Sequence, residues 1–131
     1  MQYLFSQWHL LRERMNGKQL AIFLDYDGTL APIVKDPQAA AVSAGTRRAL
    51  EALSRKARCK ISIISGRALS DVKKRLPLRG AIYSGNHGLE IEGPKIRYVT
   101  TVSASYRKIL ESIKDELASK ILPFKGAFIE D

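Results

Sequence analysis

Residues Leu20-Ala21-Ile22-Phe23-Leu24 form an unbroken apolar run that ends in Asp25-Tyr26-Asp27-Gly28-Thr29, and this ending limits what the chain can fold into. Consecutive apolar residues with Ile and Phe among them suit a parallel strand covered on both faces, and Asp-Gly breaks it. The two acids then lie at the carboxyl end of a strand. In open α/β sheets that edge carries the ligand crevice. Both aspartates can face the crevice if the backbone turns between them, a freedom that Gly28 supplies.

Two carboxylates at one strand end suit phosphoryl transfer through an aspartyl-phosphate. Asp25 is the candidate nucleophile, and Asp27 the candidate general acid that protonates the departing alkoxide. A carboxylate approaches an anionic phosphate ester only if a cation offsets the repulsion, so a hard, oxygen-ligated Mg²⁺ at Asp25 and Asp27 is expected. Asp27, beside another negative group, would hold its proton more tightly, as a general acid must.

The rest of the sequence surrounds that site with one α/β layer. With 131 residues, 45% of them hydrophobic and 27% charged, the chain can bury one ordinary core and is neither disordered nor fibrous. Leu4, Trp8, Leu11 and Met15 predict an amphipathic helix ending near Asn16-Gly17 and packing on the core. After the aspartates, Pro32 and Pro37 impose an ordered loop over the strand ends. Ser43 is placed to cap a helix of roughly fifteen residues that closes the first β-α-β crossover. Lys60-Ile61-Ser62-Ile63-Ile64 predicts a second strand, Leu69, Val72 and Leu76 a helix stopped by Pro77, and Ala81-Ile82-Tyr83-Ser84 a third strand. Beyond it, residues 89–92 and 95–99 flank Gly93-Pro94 as a hairpin. Tyr106, Ile109, Ile113 and Leu117 then mark a long helix.

Charge and composition exclude several function classes. The formal net charge of +9 comes largely from Arg47-Arg48, Arg55-Lys56-Arg58 and Lys73-Lys74-Arg75, each within an amphipathic helical pattern. Without interleaved aromatics these are solvated helix faces, so no nucleic-acid partner is expected. One cysteine, Cys59, and two distant histidines argue against a disulfide and a zinc site. No signal peptide opens the chain and no apolar run nears the ~18 residues of a membrane span, so a cytoplasmic protein without a membrane partner is expected.

Two further stretches carry candidate function. The second strand runs into Ser65-Gly66-Arg67, which sets a hydroxyl and helix-start peptide N–H groups on the active edge, where an anion is favoured. The third runs into Gly85-Asn86-His87-Gly88-Leu89-Glu90, a tight turn exposing Asn86 and His87. With D-x-D-G-T, these motifs resemble those of the trehalose-6-phosphate phosphatases, a branch of the haloacid dehalogenase-like (HAD) phosphatases, and the resemblance runs from Leu20 to the end of the sequence.

The resemblance implies a Rossmann-like α/β parallel-sheet HAD core, present in part over residues 1–92, with an inserted α+β cap domain beginning at 93–131. It implies trehalose 6-phosphate as the phosphosugar substrate and Mg²⁺ as cofactor. Gly28, Thr29, Ser65, Gly66, Arg67, Asn86 and His87 would then surround phosphate and sugar, with Arg67 either touching substrate or anchoring its loop. Glu130 would sit on a cap strand and bond a sugar hydroxyl. The family's later basic residue and acidic metal motif have no counterpart here, since Asp36 and Asp71 fall in the wrong segments. The chain alone is therefore expected to be an incomplete, inactive part of the enzyme. Alternatives are a phosphatase for sucrose phosphate or a mannosyl phosphate, and a non-catalytic phosphosugar-binding remnant.

Overall fold

The computed structural model describes residues 4–101, 104–127 and 129. The chain divides into two compact units, Met1–Val99 and Thr100–Asp131. The first is built on a five-stranded sheet in the order β1-β2-β3-β4-β5, formed by Leu20–Asp25, Cys59–Ile64, Ile82–Gly85, Glu90–Gly93 and Ile96–Val99. β1, β2 and β3 are parallel, whereas β4 and β5 add antiparallel. Parallel neighbours need crossovers, and these contain α2, Ala44–Ser54, and α3, Leu69–Arg75.

Because the strand order advances in one direction, two right-handed crossovers put both helices on the same face of the sheet. The buried residues agree: Ile61 and Ile63 of β2 and Tyr83 of β3 share one core with Leu50 of α2 and Leu69, Val72 and Leu76 of the α3 segment. Each such aliphatic side chain, fully buried, contributes about 1.5–3 kcal/mol. Ile22 and Leu24 pack against this core from β1.

Among the described residues β1 is covered on one face, where both were expected. β1 is an edge strand with alternating burial, and Phe23 on its second face is 67% exposed. Ile64, in register with Asp25, is also exposed on that face. The continuous apolar run therefore reflects one face buried and one open among the described residues.

Local signals worked where they were chemical. Ser43 Oγ accepts the Thr46 N–H at 3.1 Å and starts α2, a cap of about 1 kcal/mol. The helix is shorter than expected, 11 residues, because the chain leaves it at Arg55 to enter β2. The amino-terminal spacing also gives a helix, α1 over Trp8–Met15, after a 3₁₀ turn over Leu4–Gln7. It does not pack on the core, since none of its residues is buried and Trp8 leans on Phe5 with ring centroids 6.2 Å apart. Leu11 and Met15 are half-buried and its other residues are exposed, so among the described residues its apolar stripe is left largely uncovered.

At the other end, the expected boundary between residues 92 and 93 falls inside a hairpin. β5 pairs along all of β4, from Glu90↔Val99 to Gly93↔Ile96, so residues 93–99 stay with the sheet and the division follows Val99. The second unit contains α4, Ala104–Ile121, as the apolar spacing predicts. The strand expected near the end is not formed at Gly126 or Ala127, and Glu130 lies outside the described residues.

The packing of α3 on β3 leaves no room at Gly85, where a Cβ would stand 2.5 Å from the Leu69 backbone. Gly85→Ala should therefore cost about 2 kcal/mol or more. Gly45→Ala, inside α2 with its Cβ no closer than 3.8 Å to Ser43 Oγ, should gain about 0.5–1 kcal/mol. Urea unfolding midpoints moving in opposite directions are the expected result.

Candidate active site

Three parallel strands end side by side, with Asp25 in register with Ile64 and Ile64 with Ser84, so the loops after β1, β2 and β3 share one edge. Backbone hydrogen bonds then stitch loop to loop. Tyr26 N–H donates to Ile64 O at 3.1 Å, Ser65 N–H to Ser84 O at 2.9 Å and Asn86 N–H to Arg67 O at 2.7 Å. Asp25, Asp27, Gly28, Thr29, Ser65, Gly66, Arg67, Asn86 and His87 all lie on these loops or at the strand ends leading into them.

Tyr26 sets the two aspartates. It is fully buried, its hydroxyl donates to Ala40 O at 3.3 Å, and its carbonyl accepts the Leu30 and Ala31 N–H groups. Asp25 and Asp27 on either side are both exposed. Strand alternation thus brings the two acids out together, and the turn expected between them comes after, where Gly28 takes φ +84° and donates to Ala31 O. Among the described residues Asp25 accepts a long side-chain hydrogen bond from Thr29 Oγ1, 3.3 Å. Asp27 is gripped from both oxygens: Arg67 Nε donates to Oδ2 and Nη2 to Oδ1, each at 2.8 Å. Such a forked guanidinium–carboxylate pair fixes the carboxylate plane as well as its position.

Arg67 is itself enclosed. Its side chain is 9% exposed, its Nη2 also donates to Pro37 O at 2.7 Å, and its guanidinium carbon sits 5.5 Å from the centre of the Tyr26 ring. Nη1 reaches Asp71 Oδ2 at 3.3 Å, an oxygen that also accepts from Arg75 Nε at 2.8 Å. Arg75 in turn donates to Gln38 O, Ala40 O and Gln38 Oε1, which pins the proline loop. The Asp27 hydrogen bond holds the Arg67 guanidinium above its ordinary value, against partial burial. Burial pushes Asp71 up, but the hydrogen bonds and charges of Arg75 and Arg67 outweigh it and leave the carboxyl below its ordinary range.

Asp71 enters the sequence reading only as a misplaced metal ligand, and neither Arg75 nor Tyr26 is given a functional role there. The i, i+4 spacing of Arg67, Asp71 and Arg75 was a readable signal for the pairing, but the link to Asp27, 40 residues away in sequence, was not.

The third loop closes on the second. Asn86 and His87 take φ +50° and +54°, left-handed backbone that costs non-glycine residues about 1–3 kcal/mol each and that the packing here sustains. The His87 ring lies against Gly66, where a Cβ would be 2.5 Å from Cε1. Ser65 Oγ accepts the Arg67 N–H at 3.1 Å and is 3% exposed in its residue, so it braces its own loop. Among the described residues no group of three or more His, Cys, Asp and Glu could hold a metal ion. Asp25 and Asp27 are nonetheless hard oxygen donors, the set that suits Mg²⁺, which takes one or two carboxylates and completes its shell with water and phosphate oxygens.

The stretch of sequence that builds this edge matches a known family. The sequence model described as trehalose-phosphatase matches residues 23–131. The chain belongs to the trehalose-phosphatase family. It is 38% identical over 121 residues, 92% of its length, to a trehalose-phosphate phosphatase of Mycobacterium tuberculosis, and it spans about 30% of the length of that curated relative. Its structure resembles the C-terminal domain of a C. albicans trehalose-6-phosphate phosphatase, with a TM-score of 0.69 and 32% identity over 86% of this chain and 40% of that one. A haloacid dehalogenase-like hydrolase from B. subtilis, 24% identical with a TM-score of 0.53 over 76% of this chain and 33% of that one, shares the fold. The expected HAD-like α/β architecture is therefore correct.

The lowered Asp71 carboxyl gives a signed pH dependence. A depressed folded-state acid stabilises fully above its unfolded pKa, about 3.9, and loses that contribution as pH falls through the lower folded value. The stability difference between wild type and Asp71→Asn should be level above about pH 5 and shrink as pH falls below the unfolded value of about 3.9. Urea unfolding across that range measures it; a difference that grew on acidification would contradict the ion-pair geometry.

Proposed function

We propose that the protein hydrolyses trehalose 6-phosphate to trehalose and phosphate, in trehalose biosynthesis, with Asp25 as nucleophile and Asp27 as acid and then base. The observation that carries this reading is the unequal pair at the end of β1. Asp25 is exposed and lightly bonded, fit to attack, while Asp27 is oriented by Arg67. Family membership supports the substrate, as do the names of the relatives the chain matches.

The chemistry follows from the residues. An Asp25 oxygen attacks phosphorus in line with the ester bond; that bond breaks, and the sugar oxygen leaves with its electron pair and takes a proton from Asp27. Water, deprotonated by Asp27, then attacks the aspartyl-phosphate and releases phosphate and the Asp25 carboxylate. Mg²⁺ held by Asp25 and Asp27 would neutralise the charge between carboxylate and phosphate. The exposed turn at Asn86 and His87 faces the same edge and is assigned to the phosphosugar, with Ser65, Gly66, Gly28 and Thr29 around the phosphate. Arg67 enters that set through Asp27, since its hydrogen bonds are taken within the protein.

The unit that follows Val99 is assigned to the beginning of a cap, with Glu130 directed to a sugar hydroxyl. Closure of a cap would exclude bulk water during transfer. Among the described residues no helix is long and apolar enough to cross a membrane, and a cytoplasmic site of action is proposed.

Asp25→Asn in the intact gene product keeps shape and removes the attacking charge, so phosphate release from trehalose 6-phosphate should fall by about 10³-fold or more. Chelation with EDTA should abolish the wild-type rate and added Mg²⁺ restore it. Sucrose 6-phosphate and a mannosyl phosphate, assayed alongside, should be turned over more slowly. An Asn variant with the wild-type rate would overturn the assignment of the nucleophile.

A further inference from the structure

We propose that Asp71 is a positioning residue for the general acid, acting through Arg67, an inference that rests on the phosphatase reading above. Arg67 offers its donors in three directions. Nε and Nη2 take the two oxygens of Asp27, Nη2 also takes Pro37 O, and Nη1 takes Asp71 Oδ2. A planar guanidinium held at three points cannot rotate, and the Tyr26 ring lies beside it. Of the three anchors, Pro37 is the carbonyl of a short 3₁₀ turn, Pro37–Ala39, and Asp27 is the group being positioned. Asp71 is the anchor on an α-helix, in the first turn of α3, where the helix dipole favours a carboxylate.

Asp71 is itself fixed from the far end of α3. Its Oδ2 accepts from Arg75 Nε, and Arg75 is tied to Gln38 and Ala40. The grip on Asp27 therefore runs from the helix through Asp71 and Arg67. Loss of Asp71 leaves Nη1 without its acceptor and lets the guanidinium turn about the Asp27 fork. Asp27 would then be displaced from the leaving oxygen, while Asp25, which Arg67 does not touch, keeps its place.

That difference predicts a dependence on leaving group. The sugar alkoxide of trehalose 6-phosphate needs a proton as it departs, whereas p-nitrophenolate does not, so only the first substrate reads the placement of Asp27 in the phosphorylation step. The experiment compares wild type, Asp71→Ala and Asp71→Asn of the intact gene product, using single-turnover release of trehalose and the first-turnover burst of p-nitrophenolate. Asp71→Ala should slow phosphorylation from trehalose 6-phosphate by about ten-fold or more. Its KM should stay within about two-fold of wild type, and the nitrophenolate burst rate should be unchanged. Asp71→Asn, whose amide oxygen can occupy the Oδ2 position and serve both arginines, should recover most of the loss. Equal slowing on both substrates, or none on either, would overturn the inference while leaving the phosphatase intact. A wild-type protein that cleaves neither ester would overturn the phosphatase reading and this inference with it.

Discussion

A guanidinium whose side chain is nine-tenths covered has to be matched on every side, and the loops of this protein are arranged around meeting that demand for Arg67. The desolvated charge is offset by Asp27 and Asp71 and by the Pro37 carbonyl, and each partner belongs to a different stretch of chain. Its backbone is engaged as well, its N–H donating to Ser65 Oγ and its carbonyl accepting the Asn86 N–H. Removing the arginine would therefore do more than cut an ion pair. It would leave Asp27 free to rotate, cut one of the ties on the proline loop and take away the side chain beside the Tyr26 ring.

What the sequence made legible was chemistry that acts over a few residues. The apolar run, the Asp-Gly turn, the Ser43 cap and the Gly93-Pro94 hairpin each depend on neighbours in sequence, and each stands close to where local rules put it. That the first three strands are parallel followed from the crossover helices. The face of β1 did not: an unbroken apolar run reads the same whether one side or both are covered, and Phe23 shows that one is open here. The first helix failed for a related reason, since periodicity reports an apolar stripe without reporting whether anything lies opposite it.

The site divides along the same line. Asp25, Asp27, Ser65 and the Asn86-His87 turn were legible because a motif and a strand end coincide. The network that gives Asp27 its orientation was hidden, because Arg67 meets Asp27 across 40 residues of sequence, and only the parallel register of β1 and β2 brings their loops together. Asp71 looked out of place as a strand-end ligand, and it is not one; its place in α3 is what lets it hold Arg67 from behind the edge.

The third loop shows how such a crevice can hold its shape at an exposed edge. Left-handed backbone at Asn86 and His87 is costly even for residue types that tolerate it best, and two in succession need support. It persists because both ends are tied. Asn86 N–H is bonded to Arg67 O, the His87 ring rests where Gly66 has no side chain, and Gly85 lets β3 approach the start of α3. A larger residue at Gly66 would push the histidine off, and the turn would lose one of its supports. The small residues of the second and third loops thus serve the same end as the arginine: they let three loops touch, so that the side chains at this edge are held in place by the protein itself.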